Sequence, residues 1–397
     1  MCEDMSVATN YIDALVQQIT EDVVRWRRYL HENPEVSFEE EKTAQFVFET
    51  LQAFDGLELS RPTRTSVVAV LRGGKPGKVL GIRADMDALP IEEENTFDFV
   101  SRKKGAMHAC GHDGHTAMLL GTAKILSGLK ENVPGEIRFV FQHAEELYPG
   151  GAEELVSAGV MDGVDAVIGI HLWAPMEVGQ IGISAGPLMA APDSFDIKII
   201  GKGGHAAQPH LTVDSIAIAA QVVTNLQHIV SRTTDPLDPA VLSVTKFIGG
   251  TAYNVIPGPV ELAGTVRTFN PELRASIPVT MERVIKGITE AHGATYEFKY
   301  ENGYRPVIND EQVTSRLKEA LLEVFGPEVV VDAVPTMGGE DFSAYQQKTP
   351  GTFFFVGAGN EEKGIIYPHH HPRFTIDEDA LPMGVKAFVN AALKLLS

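Results

Sequence analysis

Residues 107–116, MHACGHDGHT, hold three histidines, one of the chain's two cysteines and an aspartate. Thiolate sulfur, imidazole nitrogen and carboxylate oxygen together make a donor set suited to zinc-like divalent cations. The plainer alternative is a His-rich solvent loop, so the question is whether other segments supply missing ligands. Several are placed to do so: Asp85 and Asp87 in RADMDALP, Glu145 and Glu146 in QHAEELYPGG, His171 in GIHLW, and the histidine tract 369–371. Cys110 and His112 stand two apart on a Gly-containing turn and serve one site only if that turn folds them together. Along a regular strand, Glu145 and Glu146 would point apart. One carboxylate could then bind metal while the other acts as a base. Alone, the Glu pair reads as an exposed acidic patch and His171 as a core histidine. With Cys110 and His112 they point to one metal site.

These side chains need elements to position them. Apolar residues at helical spacing from Ile12 to Leu30 predict a first helix that ends at Asn33-Pro34. Ser37 three residues before Glu40 predicts a capping box opening a second helix over 37–54. Strands over 66–71, 79–84, 136–141 and 166–170 alternate with helices over 116–129 and 152–158. That pattern marks an α/β domain with a largely parallel sheet. Asp85/Asp87, Glu145/Glu146 and His171 each fall just past a predicted carboxyl strand end, where open α/β sheets bind ligands. From 193 the order becomes βαββαβ (194–200, 213–233, 241–248, 260–269, 271–292, 295–300), the ferredoxin-like arrangement. After 305 the α/β texture resumes, with helices over 312–325 and 377–395 and strands over 329–332 and 352–356. We therefore expect a catalytic domain in two parts, 1–188 and 305–397, with a ferredoxin-like domain inserted at 189–304.

At 397 residues the chain exceeds one ordinary hydrophobic core. Its formal net charge of -20 disfavours nucleic acid and anionic membranes as partners. Two cysteines, Cys2 in a segment expected to fray and Cys110, argue against a disulfide framework as the stabilising device. The opening MCEDMSVATN has no basic n-region or apolar h-region, and no apolar run reaches membrane-spanning length, so the expected location is cytoplasmic. Two motif matches fail on context. GISAG at 182–186 is followed by Pro187 rather than a helix. GKGGHA at 201–206 lacks the distant acidic residue of a dinucleotide site.

The ordered set RADMDALP, MHACGHDGHT, FQHAEE, GIHLW, GKGGHAAQPH, NVIPG, GTVRTF, MGGEDFS and HHHPRF resembles the co-catalytic metallo-amidohydrolases. That family contains aminoacylases, hippurate hydrolases, auxin-conjugate hydrolases and related carboxypeptidases, and the resemblance runs over about residues 31–395. It implies two divalent ions (Mn2+, Zn2+, Ni2+ or Co2+) held by Cys110, His112, Glu146, His171 and His370, with Cys110 shared. His370 is preferred to His369 and His371 because the family's histidine stands two residues before the proline, here Pro372. The resemblance makes Glu145 the general base and Asp87 the acid that orients a ligand. Other branches carry a histidine ligand at Asp85 and an aspartate at His112, which places this chain in the Cys-containing branch.

It further implies that the inserted domain is a dimerisation lid in a homodimer. There His205 would bind the oxyanion, Arg267 the substrate carboxylate and Asn254 would orient it, while Gly339 and Glu340 line the pocket. Read from the residues alone, His205, Asn254 and Arg267 are each more often structural (a turn His, a turn Asn before Ile-Pro, a strand-end Arg), and an acid-rich helix N-terminus explains Gly339 and Glu340 nearly as well. The implied activity is hydrolysis of small N-acyl amino acids by activated water. The alternatives are a carboxypeptidase or dipeptidase of short peptides, an N-acetyl-diaminopimelate deacetylase, a Cys110 nucleophile, or an inactive binding protein.

Overall fold

A computed structural model describes residues 2–397, with side chains from Tyr11 onward. Cys2, in the segment expected to fray, lies outside the residues whose side chains are described. The chain forms two compact units, one of residues 1–188, 308–334 and 341–397 and the other of 189–307 and 335–340.

The first unit is built on an eight-stranded mixed sheet. Its order is Leu57–Ser60, Val67–Arg72, Pro134–Gln142, Lys75–Asp85, Ala166–Glu177, Gly351–Gly359, Ile181–Gly182, Val330–Val331. The central four, from Pro134–Gln142 to Gly351–Gly359, are mutually parallel. Gly351–Gly359 is buried along its whole length, as a strand covered on both faces must be. The helices Cys2–Glu32, His112–Gly128 and Ala380–Leu395 contribute Val23, Leu119, Leu120, Val385 and Phe388 to the same core as Ile82, Phe139 and Ile170. Among the described residues no helix is long and apolar enough to cross a membrane.

The second unit has the order βαββαβ. Strands Ala240–Ile248, Pro259–Thr268, Ala191–Ile200 and Thr295–Glu301 lie side by side, all antiparallel. Phe195, Ile197 and Ile199 alternate inward and pack with Ile218, Val222, Ile277 and Met281 of helices Ser215–His228 and Pro271–Ala291. Asp214 and Asn270 cap those helices through their side chains.

Four details differ from the sequence expectation. The second helix is Glu41–Gln52 with no side-chain cap, and Ser37 Oγ instead donates to Asp87 Oδ2 at 2.6 Å. The helix expected from 116 begins at His112, inside the Cys/His motif. His171 is not past a strand end: its strand runs on to Glu177, because residues 171–173 stay paired with 355–357. Residues 335–340, expected in the second catalytic segment, belong to the inserted unit, where Ala190 N donates to Thr336 O and Gly338 O at 3.2 and 2.9 Å.

Candidate metal centre

Two strand ends, one mid-strand residue and one helix start meet in the first unit. Asp85 closes the strand Lys75–Asp85, and Glu145 and Glu146 follow the strand Pro134–Gln142. Gly111, with φ of +93°, makes the left-handed turn between Cys110 and His112, a conformation that favours glycine. Three overlapping groups each bring their donor atoms within 4.8 Å of one another: Cys110, His112 and His171; Cys110, Glu146 and His370; His112, Glu145 and Glu146. Cys110 Sγ lies 3.6 Å from His171 Nε2, and Glu146 Oε1 lies 3.3 Å from His370 Nε2 and 3.8 Å from His112 Nε2.

An outer layer fixes which ring nitrogens face the cluster. His112 Nδ1 donates to Asp87 O at 2.9 Å, and His171 Nδ1 donates to Leu172 O at 2.8 Å, leaving each Nε2 inward. Asp87 Oδ2 also accepts from Glu146 N at 3.0 Å. His115 is engaged at both nitrogens: Nδ1 donates to Asp85 Oδ1 at 2.6 Å and Nε2 accepts from Leu172 N at 2.8 Å. Asp85 is further paired with Arg83 at 2.7 Å, and Arg83 reaches Asp341 at 2.8 Å.

The histidine tract divides its work. His369 Nε2 accepts from Ala174 N and its ring lies 4.9 Å from that of Trp173, while His371 stacks on Tyr367 at 4.5 Å. His370 has φ of +65°, anchors its N–H on Ala109 O at 2.8 Å and turns its ring to Glu146.

The donor set fits a divalent cation. His112 Nε2 is buried with no hydrogen-bond partner. Burial would lower the His112 pKa, yet Asp85 and Asp87 together raise it to about 10, so the carboxylates draw a proton onto the ring. Burial, then Glu146 and Glu145, pushes the Cys110 thiol well up. His171 is driven well down by burial and by His115 and His369. A cation is the group that would compensate thiolate and carboxylates together while leaving the imidazoles neutral.

The remaining candidates all lie in the second unit. His205 is exposed and pairs across a short antiparallel bridge with Val255, and Asn254 O accepts from Ala206 N at 3.0 Å. Arg267 donates to Thr265 Oγ1 at 3.1 Å and to Met337 O at 3.4 Å; burial lowers its pKa. Gly339 packs so closely on Pro192 that a Cβ would meet its Cγ at 2.5 Å, and Glu340 is buried.

Two residues near the cluster escaped the sequence reasoning. Ser37 was masked by its resemblance to a helix cap. Glu40 is fully buried, and burial with the nearby Asp87 pushes its pKa up to about 7. Neither carries a ligand-like motif.

Residues 81–394 match the family described as Peptidase family M20/M25/M40. An N-acyl-L-amino acid amidohydrolase of Geobacillus stearothermophilus is 69% identical over 301 residues, 76% of this chain and 81% of that protein. Thermostable carboxypeptidase 2 of Saccharolobus solfataricus is 43% identical over 383 residues, 96% of each chain. A crystal structure of a Bacillus subtilis dinuclear metal-binding peptidase from the M20 family superposes with a TM-score of 0.83 at 38% identity, covering 96% of this chain and 99% of that one.

Proposed function

Because this chain belongs to peptidase family M20/M25/M40, and is thereby a hydrolase of amide or peptide bonds, we propose that it hydrolyses N-acyl amino acids at a dinuclear metal centre. The observation that carries the proposal is the convergence of Cys110, His112, Glu146, His171 and His370 in overlapping groups, with Glu145 beside His112 and Glu146. The substrate class follows the name of the 69% identical relative. We assign the five converging residues as ligands of two ions, of Mn2+, Zn2+, Ni2+ or Co2+. When bound there, such ions would supply Lewis acidity towards the scissile carbonyl and would lower the pKa of a water towards about 7.

Glu145 takes the proton from the attacking water and delivers it to the leaving nitrogen as the C–N bond breaks, releasing carboxylate and free amino acid. Asp87, through His112 Nδ1, fixes the ligand's tautomer. From the inserted unit of a partner subunit, His205 stabilises the oxyanion. Arg267 pairs with the substrate carboxylate, Asn254 orients it, and Gly339 and Glu340 shape the pocket. This part rests on the family resemblance. The buried free thiol of Cys110 suits a reducing compartment, so we place the enzyme in the cytoplasm.

The test is a hydrolysis panel of N-acetyl and N-benzoyl amino acids and dipeptides on chelator-stripped and metal-reloaded protein. We expect activity to vanish on stripping, to return with Mn2+, Zn2+, Ni2+ or Co2+, and to favour N-acyl amino acids. Full activity of stripped protein would point to Cys110 as nucleophile and overturn the metal mechanism. Preference for dipeptides would move the enzyme to the peptidase reading.

A further inference from the structure

We propose that Glu40 is a positioning residue that holds Ala144 in a left-handed backbone conformation and so turns Glu145 and Glu146 towards the same centre. Among the described residues, three that are not glycine have positive φ: Phe38 at +68°, Ala144 at +50° and His370 at +65°. Such backbone is strained for an L residue and persists only where the surroundings enforce it. One oxygen enforces two of the three. Glu40 Oε1 accepts from Phe38 N at 3.0 Å and from Ala144 N at 2.7 Å.

What Ala144 does follows from strand geometry. In a strand running on past Gln142, Glu145 and Glu146 would point to opposite faces. Instead both carboxylates lie within 4.8 Å of a ring nitrogen of His112 and of each other. The reversal of φ at Ala144, immediately before them, breaks the alternation. The turn is held on either side: Gly151 N donates to Ala144 O at 3.1 Å, and Glu146 N donates to Asp87 Oδ2, which Ser37 also holds. Segment 37–40 thus grips the pair twice, through Glu40 at Ala144 and through Ser37 and Asp87 at Glu146. Burying a carboxylate is costly, and in fully buried Glu40 both of these bonds fall on Oε1, while Oε2 has no hydrogen-bond partner among the described residues.

The inference rests on the roles assigned above to Glu145 and Glu146, and its test has a readout that needs no turnover. Parent, E40A, E40Q, A144G and E40A/A144G full-length proteins are stripped and titrated with Co2+, followed by visible absorption. Thermal unfolding and the kcat and KM for an N-acetyl amino acid are measured alongside. E40A should bind Co2+ at least tenfold more weakly and lose tenfold or more in kcat with KM within threefold. E40Q, which keeps an acceptor oxygen, should lose less than threefold. Glycine adopts φ of +50° without support, so A144G should return most of what E40A lost. That recovery is read as folding if E40A is unfolded, and as Co2+ affinity and kcat if it is folded. A folded E40A with parent-like Co2+ affinity and kcat overturns the proposal, and so does a double variant no better than E40A. A parent that binds Co2+ but hydrolyses no substrate sinks the proposed function and leaves the Co2+ titration to decide Glu40.

Discussion

Glu145 and Glu146 are neighbours of one chemical type, and only their surroundings separate their roles. Glu146 lies 3.3 Å from His370 Nε2 and 3.8 Å from His112 Nε2, and its proposed role as a ligand rests on that proximity. Glu145 is buried in the same group and is the base in the proposed mechanism. Replacing Glu145 by Gln keeps shape and an acceptor oxygen but removes the proposed base. We therefore expect unchanged metal content by atomic absorption and a kcat reduced by roughly 10²–10⁴-fold, the span of general acid–base catalysis. Near-parent kcat would return the proton transfer to another group. The same Gln at Glu146 should instead lower metal content, and this contrast between neighbours separates ligand from base.

Elements decide how such residues meet, and here sequence legibility divides along physical lines. The strand ends at Asp85 and Gln142 are legible because buried parallel strands are apolar runs that stop abruptly at polar residues. The partner of Ser37 is not, because S-x-x-E is a local pattern while the hydroxyl bonds Asp87, fifty residues away. His171 is misplaced for a similar reason. Nothing local in GIHLW tells that residues beyond 171 remain paired with 355–357. The convergence of the two glutamates depends on one backbone angle at Ala144, which no composition rule anticipates.

Helix Cys2–Glu32 shows what an element contributes from behind the site. Arg27 Nε donates to Asp113 Oδ2 at 2.9 Å with both side chains 1% exposed, and His31 Nδ1 donates to the same oxygen at 2.8 Å. Asp113 follows His112, so this pair seats the first turn of the helix that begins at His112, the proposed ligand. Arg27→Met leaves a buried carboxylate supported by His31 alone. We expect a loss of about 3 kcal/mol, the lower end for breaking a buried pair, read from the denaturant midpoint. A change below about 1 kcal/mol, within what exposed pairs contribute, would mean the tie is not structural.

At the scale of the whole molecule, the inserted unit presents an unpaired edge. Strand Ala240–Ile248 borders its sheet, and Phe247 and Ile248 near its end are 45% and 57% exposed. Exposed apolar edges are templates for pairing with another chain. The family resemblance implies a homodimer formed through the inserted unit, and this edge is the surface on which that dimer is tested. If His205 then serves the partner's centre, two inactive proteins should complement each other. Glu145→Gln lacks the base and His205→Ala lacks the oxyanion group, but a mixed dimer contains one centre with both residues intact. Random exchange makes half of the dimers mixed with one working centre in two, so activity should recover to about a quarter of parent. Adding Phe247→Asp and Ile248→Asp to both proteins should convert dimer to monomer in sedimentation and abolish the recovery together. Verified exchange without recovery would assign His205 to its own subunit's chemistry. Recovery that survives loss of the edge contacts would place the interface elsewhere on the inserted unit.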